Sequence, residues 1–140
     1  MSYTIELSWP PSVNQYWNHV YNAKLRRVQI YPSREALYFK AEAAALVRKK
    51  GQPPRFEKAV MVEIDAYPPD RRKRDSDNIV KATFDALTWA NVWVDDYQVV
   101  DFRVRRFEET KDKLIIRIVE LDAPMPRLET PPEFVNYLRA

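Results

Sequence analysis

The sequence has little of three residue types that carry common protein chemistry: cysteine is absent, and histidine and glycine occur once each in 140 residues. The absence of cysteine excludes disulfide scaffolds, thiolate zinc sites and cysteine nucleophiles, and it fits a reducing compartment. A single histidine argues against imidazole-rich metal sites and a Ser-His catalytic pair. No stretch approaches the roughly 20 apolar residues needed to span a bilayer, and the first residues lack a signal-peptide pattern. We therefore expect a cytoplasmic protein.

The composition is that of one globular domain with an uneven charge distribution. A chain of 140 residues with 46% hydrophobic content can bury one core, and its length favours a single domain. The net charge of +3 is only mildly basic, so the placement of the cations matters more than their total. Four of them are consecutive, in the "RRKR" run of Arg71–Arg74.

The order of sequence patterns predicts an α/β fold of the mixed α+β kind, with two main helices and a small mixed sheet. A strand over Tyr3–Leu7 precedes a helix that Ser33 caps and Gly51 ends, because Ser favours N-caps and Gly favours helix ends. Strict alternation over Ala59–Tyr67 predicts another strand. A second helix follows Asp77, so the predicted order is β-α-β-α-β-β.

Three further segments have their own predictions. The segment Asn18–Pro32 has no clean period, so we expect an exposed basic loop. The stretches "QVVDFRVRRF" and "LIIRIVEL" flank "EETKDK", which predicts an antiparallel hairpin. Residues 122–140 carry four of the 11 prolines, so we expect them to form a C-terminal tail beyond a domain of residues 1–121.

Two aspartates, Asp75 and Asp77, stand at the predicted start of the second helix. In an extended segment alternate side chains share a face, so both carboxylates are expected to point the same way. Asp77 is also a candidate N-cap, and Lys81 would project from the polar side about one turn further on. Helical spacing predicts a buried opposite face. Its members are Ile79, Ala82, Thr83, Ala86, Leu87 and Ala90.

A second carboxylate pair, Asp95 and Asp96, follows the helix in "WVDDYQ" and is expected to return to the same end of the sheet. Carboxylates gathered without His or Cys suit Mg²⁺, which prefers oxygen ligands and keeps several waters. Such an ion would relieve the repulsion between carboxylates and activate a water molecule. The cations of Arg71–Arg74 and Lys81 would hold phosphates or neutralise transition-state charge. The pattern therefore predicts metal-dependent chemistry on a phosphate backbone.

Each of these features has a common structural explanation that stays open. An Asp at a helix start is most often only a cap, and a run such as "RRKR" is most often a solvated surface. The "VDD" tripeptide is typical of an ordinary turn. A D-x-D pair also occurs in nucleotide-sugar transferases, but this chain has neither the length nor the repeated βαβ units of a nucleotide-binding fold.

In combination, these motifs resemble a known family. The stretch "PPDRRKRDSDNIVKATFDALTWANVWVDDYQVVDFRV" is similar to the signature segment of the RusA-type Holliday junction resolvases, and "LSWPPSVNQYW" resembles their amino-terminal stretch. The likeness extends to about Leu121, whereas "NHVYNAKLRRVQIY" is not a close copy of the family's loop.

The resemblance implies a small homodimeric endonuclease of bacterial or phage origin that cuts four-way DNA junctions with Mg²⁺, with Mn²⁺ as an alternative ion. It implies no membrane and no nucleotide cofactor. The family's metal-binding aspartates fall on Asp75, Asp77 and Asp96, and its essential lysine falls on Lys81. The residues that we assign to DNA binding are Arg71, Arg72, Lys73, Arg74, Asn78, Asn14, Lys24, Arg26 and Arg27.

Two classes of function remain from the sequence: a structure-specific endonuclease, and a protein that binds branched DNA without cutting it. A nuclease that prefers flaps or forks is a variant of the first class. A large apolar content near the carboxylates favours a dimer interface, although the same side chains would also serve as core. These residues are Phe84, Trp89, Val92, Trp93 and Val94.

Overall fold

A computed structural model describes residues 1–51, 53 and 55–122 of the chain. All of the expected tail except Asp122 lies outside the described residues. The strands are β1 (Ser2–Leu7), β2 (Trp17–Asn22), β3 (Arg27–Pro32), β4 (Val60–Tyr67), β5 (Val99–Arg106) and β6 (Lys113–Glu120). The α-helices are α1 (Val13–Tyr16), α2 (Arg34–Lys50) and α3 (Val80–Trp89), and 3-10 turns span Ser76–Ile79 and Asp96–Gln98.

The main sheet has the strand order β1-β6-β4-β5, in which β4 and β5 are parallel and the other neighbours are antiparallel. The predicted mixed α+β class with two main helices is confirmed. The predicted hairpin of the last two strands is wrong, because β4 lies between them. The side chains of Leu114, Ile116 and Ile118 are fully buried, which suits an interior strand, whereas β5 is largely exposed and suits an edge.

The core lies between one face of this sheet and the helices α2 and α3. The predicted alternation of β4 is confirmed, since Val60, Val62, Ile64 and Ala66 are buried and the residues between them are only partly so. The predicted apolar face of α3 is also confirmed, because all six of its residues are buried. This packing of α3 on the core fixes the position of its first turn.

The boundaries of α2 agree with the sequence. The Ser33 hydroxyl accepts a hydrogen bond from the Ala36 amide at 3.1 Å, which satisfies one of the free amides of the first turn. Gly51 ends the helix with a φ of 103°, a conformation that residues with a Cβ rarely adopt.

The segment expected to be a basic loop is instead a two-stranded hairpin, β2–β3, which we call the hairpin arm (residues 17–32). Its exposure and basic character are as predicted, but the prediction that it lacks regular structure is wrong. The Asn22 side chain accepts hydrogen bonds from the amides of Lys24 and Leu25 at 3.0 and 3.1 Å. This Asx-type turn, together with a φ of 53° at Arg26, reverses the chain without glycine.

Candidate active site

The start of α3 differs from the prediction in its local geometry. Ser76–Ile79 form a 3-10 turn, and the residue at the N-cap position of α3 is Ile79, so the prediction that Asp77 caps the helix is wrong. The segment is not extended either, and the prediction that Asp75 and Asp77 share a face fails with it. Neither carboxylate forms an ion pair or a side-chain hydrogen bond with another described residue. Both are therefore available to a ligand.

Asp77, Lys81 and Asp96 meet around one cleft between α3 and β5, with a volume of about 560 Å³. Phe102 and Val104 reach it because they pair in register with Val62 and Ile64 and so lie on the helix-covered face of the sheet. The α3–β5 cleft has an apolar floor with charged groups on its rim. Its lining residues are Ser76, Asp77, Val80, Lys81, Phe84, Asp96, Phe102 and Val104.

Asp75 does not line this cleft but a second groove of about 250 Å³. This Trp9 groove is lined by Trp9 and Pro10–Ser12, and by Arg74 and Asn78 near the aspartate. The Arg74 guanidinium lies 5.8 Å from the centroid of the Trp9 ring. The structure thus brings three of the four predicted catalytic residues into one cleft and places the fourth beside a neighbouring groove.

The carboxylates of the α3–β5 cleft can supply only part of the coordination shell of a hard cation. Within the described ranges, no three His, Cys, Asp or Glu side chains are grouped so as to hold a metal ion. The cleft itself offers two carboxylates, Asp77 and Asp96. Mg²⁺ is commonly held by one or two carboxylates, with waters and substrate phosphate oxygens completing the shell.

Lys81 is oriented by two residues that the sequence analysis did not assign to the site. Its ammonium donates to Asp85 Oδ1 at 3.2 Å, and the Tyr16 hydroxyl donates to Asp85 Oδ2 at 2.8 Å. Burial, followed by the hydrogen bond to Asp85, raises the pKa of Tyr16 far above its usual range, so the phenol stays a donor. The four-residue spacing of Lys81 and Asp85 signals their pairing, whereas the Tyr16 contact depends on tertiary packing.

Gln98 holds the turn that carries Asp95 and Asp96. The side chain is buried, and its Oε1 accepts hydrogen bonds from the amides of Val94 and Asp95 at 2.8 and 3.0 Å. Its Nε2 donates to the carbonyls of Phe56 and Lys58 at 2.9 and 2.8 Å. One amide therefore ties the carboxylate turn to the segment that leads into β4.

We expect Gln98→Ala to lower the free energy of unfolding by about 2 to 3 kcal/mol, because it leaves buried backbone groups without partners. Urea denaturation followed by circular dichroism measures the change. Tyr97→Ala is the matched control, since the Tyr97 ring is exposed and its loss should change stability by less than about 0.5 kcal/mol. Equal effects of the two changes would contradict this role of Gln98.

The surroundings of the Asp96 carboxyl disfavour its ionised form. Burial raises its pKa, and the hydrogen bond and negative charge of Asp95 and the charge of Asp85 raise it further, against a smaller lowering by Lys81. The pKa of Asp95 is lowered, first by the hydrogen bond from the Tyr97 amide. Negative charge is thus crowded at this end of the cleft, an arrangement that a bound cation relieves.

A carboxyl group whose pKa is higher in the folded than in the unfolded state favours folding at a pH below its unfolded pKa. That contribution is lost as the pH rises through the folded pKa. At neutral pH the ionised Asp96 therefore carries an electrostatic cost when no metal is present. We expect Asp96→Asn to raise the Tm in chelator at neutral pH, with the gain shrinking in acid. A pH series of thermal unfolding curves tests this, and a Tm gain that grows in acid would contradict the assigned direction.

The cationic run is organised by an aspartate that the sequence analysis did not single out. Asp70 accepts two hydrogen bonds from the Arg74 guanidinium, at 2.6 and 2.9 Å, and one from the Arg72 amide at 2.9 Å. Arg74 is thereby committed to the protein, whereas Arg71 and Lys73 are exposed. These residues line a further groove of about 560 Å³, formed by Pro68, Asp70, Arg71–Arg74, Arg106, Phe107 and Glu108.

The other residues assigned to DNA binding are more widely spread. Asn78 lines the Trp9 groove, and Asn14 lies in α1. Lys24 and Arg26 lie in the turn of the hairpin arm, and Arg27 begins β3.

The five apolar residues predicted to form either a dimer interface or the core divide into two groups. Phe84, Val92 and Trp93 are buried in the core, where the Phe84 ring meets the Trp93 ring edge to face at a centroid distance of 5.7 Å. Trp89 and Val94 are exposed. Their exposure leaves only these two of the five as interface candidates.

Comparison with known proteins places this architecture in a family. The family described as "Endodeoxyribonuclease RusA" matches residues 8–119, and the chain belongs to it. The crossover junction endodeoxyribonuclease RusA of Escherichia coli (strain K12) is 38% identical over 121 residues, which cover 86% of this chain and 96% of that protein. The corresponding protein of Enterobacteria phage 82 shows the same identity and coverage, and that of Shigella sonnei is 37% identical.

The predicted resemblance is thereby confirmed. The similar proteins come from enterobacteria and from a phage. In the part of the chain that the structure describes, no helix has the length and apolar character needed to cross a bilayer.

Proposed function

We propose that this chain is a Mg²⁺-dependent endodeoxyribonuclease that resolves Holliday junctions by hydrolysing one phosphodiester in each of two opposed strands. The observation that carries the proposal is the α3–β5 cleft, where Asp77, Asp96 and Lys81 converge in a member of the RusA family. The similar proteins of Escherichia coli and Enterobacteria phage 82 are crossover junction endodeoxyribonucleases.

Asp77 and Asp96 are the proposed holders of Mg²⁺ in the cleft, and Asp75 is proposed as a third ligand. When bound, the ion would neutralise charge on the phosphoryl group and supply an activated water. Mn²⁺, which also takes oxygen ligands, would substitute. Asp75 is the N-cap of the 3-10 turn that carries Asp77, and its participation would extend the metal site from the cleft towards the Trp9 groove.

Lys81 is proposed to stabilise the charge that develops on the phosphate during hydrolysis. Its side chain is 55% exposed and belongs to the rim of the cleft, so a phosphate can approach it from solvent. The hydrogen bond to Asp85 restrains the position of the ammonium. A cation held in place beforehand stabilises a transition state without reorganisation at the moment of reaction.

The exposed cations are proposed to bind the DNA on either side of the scissile phosphate. The groove of Arg71–Arg74 adjoins the Trp9 groove through Arg72–Arg74, so cationic surface runs from the end of β4 to Asp75. Phosphate contacts of this kind position a duplex without reading its sequence. Asn14, Asn78, Lys24, Arg26 and Arg27 are the remaining proposed contacts.

A homodimer is proposed because one site hydrolyses one strand at a time, whereas a four-way junction presents two symmetry-related strands. We expect a dimer mass by light scattering and linearisation of a supercoiled cruciform plasmid with Mg²⁺. A monomer that only nicks the plasmid would contradict paired incision and favour a flap or fork nuclease.

The activity itself is tested by incubating the protein with labelled four-way junction, flap and linear duplex, each with Mg²⁺ or chelator. We expect symmetric cutting of the junction with Mg²⁺ and no cutting in chelator. Junction binding without any cutting would instead identify a non-catalytic branched-DNA-binding protein, and preferred cutting of the flap would change the substrate.

A further inference from the structure

The hairpin arm presents an apolar face that no element in the described part of the chain covers. Tyr21 pairs with Val28 and His19 pairs with Ile30, so Tyr21, Val28 and Ile30 lie on one face of the ribbon, and all three are exposed. An isolated two-stranded hairpin is marginally stable in water, and a contiguous exposed apolar face marks an interaction site. The arm therefore has the character of a binding element.

The charge of the arm matches a polyanion. Residues 17–33 contain Lys24, Arg26 and Arg27 but no Asp or Glu. All three cations lie in or directly beside the turn, at the end of the arm that is remote from the body. Phosphate groups are the complement of such a tip.

The position of the arm ties it to the candidate active site. Trp17, its first residue, lines a small cavity together with Lys81 and Ala82 of α3. The amide of Ser33, which follows the arm, donates to the carbonyl of Tyr16 at 2.7 Å, which holds the two ends of the arm together. The arm thus leaves the body at the edge of the α3–β5 cleft.

We propose that the hairpin arm recognises the branch point of the DNA substrate, with its apolar face packed on base pairs that lack a stacking neighbour there. This inference rests on the proposed function. Every base pair inside a continuous duplex is stacked on both sides, so the apolar face meets a flat apolar partner without the cost of unstacking only where stacking is already interrupted. Apolar side chains pack between base steps in other DNA complexes, and the tip cations would bind the flanking phosphates. The arm would then supply preference for branched over linear DNA, which phosphate contacts alone do not give.

The test measures affinity in chelator, without cleavage, for a four-way junction and for a linear duplex of the same sequence. Val28→Thr combined with Ile30→Thr removes the apolar character and keeps the β-branched side chains that favour a strand. We expect about fivefold weaker junction binding, the equivalent of about 1 kcal/mol of lost apolar contact. Duplex binding should not change.

Val20→Thr is the matched control for Val28→Thr. Val20 is 53% exposed and Val28 is 57% exposed, but Val20 pairs with Gln29 and lies on the opposite face of the arm. We expect Val20→Thr to bind both DNAs like the wild type. Fluorescence of 2-aminopurine at the branch point should change on binding of the wild type and of Val20→Thr, but much less on binding of the double variant.

The assignment is overturned by equal effects of the substitutions on the two faces, by equal losses on junction and duplex, or by a reduced mass of the double variant by light scattering. The last result would assign the face to a second copy of the chain. If the double variant retains the junction preference of the wild type, the role proposed for the arm is wrong but the proposed function is unaffected. A wild type that shows no junction preference, or that fails to cut with Mg²⁺, contradicts the proposed function instead.

Discussion

Replacing Asp77 or Asp96 with Asn should reduce junction cleavage to the level seen in chelator while leaving junction binding intact. Each change removes one of the two carboxylates in the α3–β5 cleft, and an amide is a poor replacement for a charged oxygen ligand of Mg²⁺. Binding should persist, because the change removes negative charge from a surface that must accept phosphate. Single-turnover cleavage and gel-shift titration of the same labelled junction measure the two effects separately.

Asp95→Asn is the control for this prediction. Asp95 caps the 3-10 turn by accepting a hydrogen bond from the Tyr97 amide at 2.8 Å, and asparagine preserves such a cap. Its cleavage rate should stay close to that of the wild type. A severe loss in Asp95→Asn with a mild one in Asp96→Asn would reverse our choice within the pair.

The same measurement on Asp75→Asn tests whether Asp75 belongs to the metal site. Loss of cleavage equal to that of Asp77→Asn would assign Asp75 to the metal site together with Asp77 and Asp96. Cleavage near the wild-type rate would remove Asp75 from the proposed metal site and leave the two carboxylates of the cleft.

Lys81→Ala should lower the cleavage rate by a factor on the order of 10² or more, with a much smaller loss of affinity. The ammonium is proposed to act on charge that develops only in the transition state, so its removal should affect the chemical step under saturating protein. Single-turnover rates at saturation, with separately measured Kd values, distinguish the two contributions. Equal losses of rate and affinity would make Lys81 one more phosphate contact.

Lys50→Ala is the control, because Lys50 is also an exposed lysine on a helix. Its ammonium lies 5.5 Å from the centroid of the Tyr3 ring. Tyr3 belongs to β1, the edge strand at the other side of the sheet from β5. It should cut and bind like the wild type. Asp85→Asn should give a smaller rate loss than Lys81→Ala, since Asp85 only positions the ammonium.

Local patterns predicted the parts of the fold that depend on burial, and they failed where distant segments choose their partners. The period of α3 and the alternation of β4 follow from which side chains must face the core, so the sequence identified both. The predicted pairing of β5 with β6 was wrong. The short link between them favours a hairpin locally, whereas β6 buries its apolar side chains between β1 and β4. Tertiary packing decided that competition.

The candidate site was predicted in its residues but not in its geometry. Asp77, Asp96 and Lys81 do meet in one cleft, although the local rule for extended chains placed Asp75 with them. Asp75 precedes the 3-10 turn that contains Asp77, and it lines the neighbouring Trp9 groove. Gln98 and Tyr16 escaped notice because their partners, at Phe56 and Asp85, are distant in sequence.

The interior position of β6 has a consequence for how the protein folds. Ser2 pairs with Val119 and Leu7 with Leu114, so the middle of the sheet closes only when segments from both ends of the described chain find each other. Loop closure of that length must precede any gain from the contacts, and proteins rich in such pairings fold in about milliseconds to seconds. Until then β1 and β4 lack the strand that lies between them, and the sheet on which the helices pack is incomplete. We therefore expect the carboxylates to take up their final positions late in refolding, after most helical signal has returned.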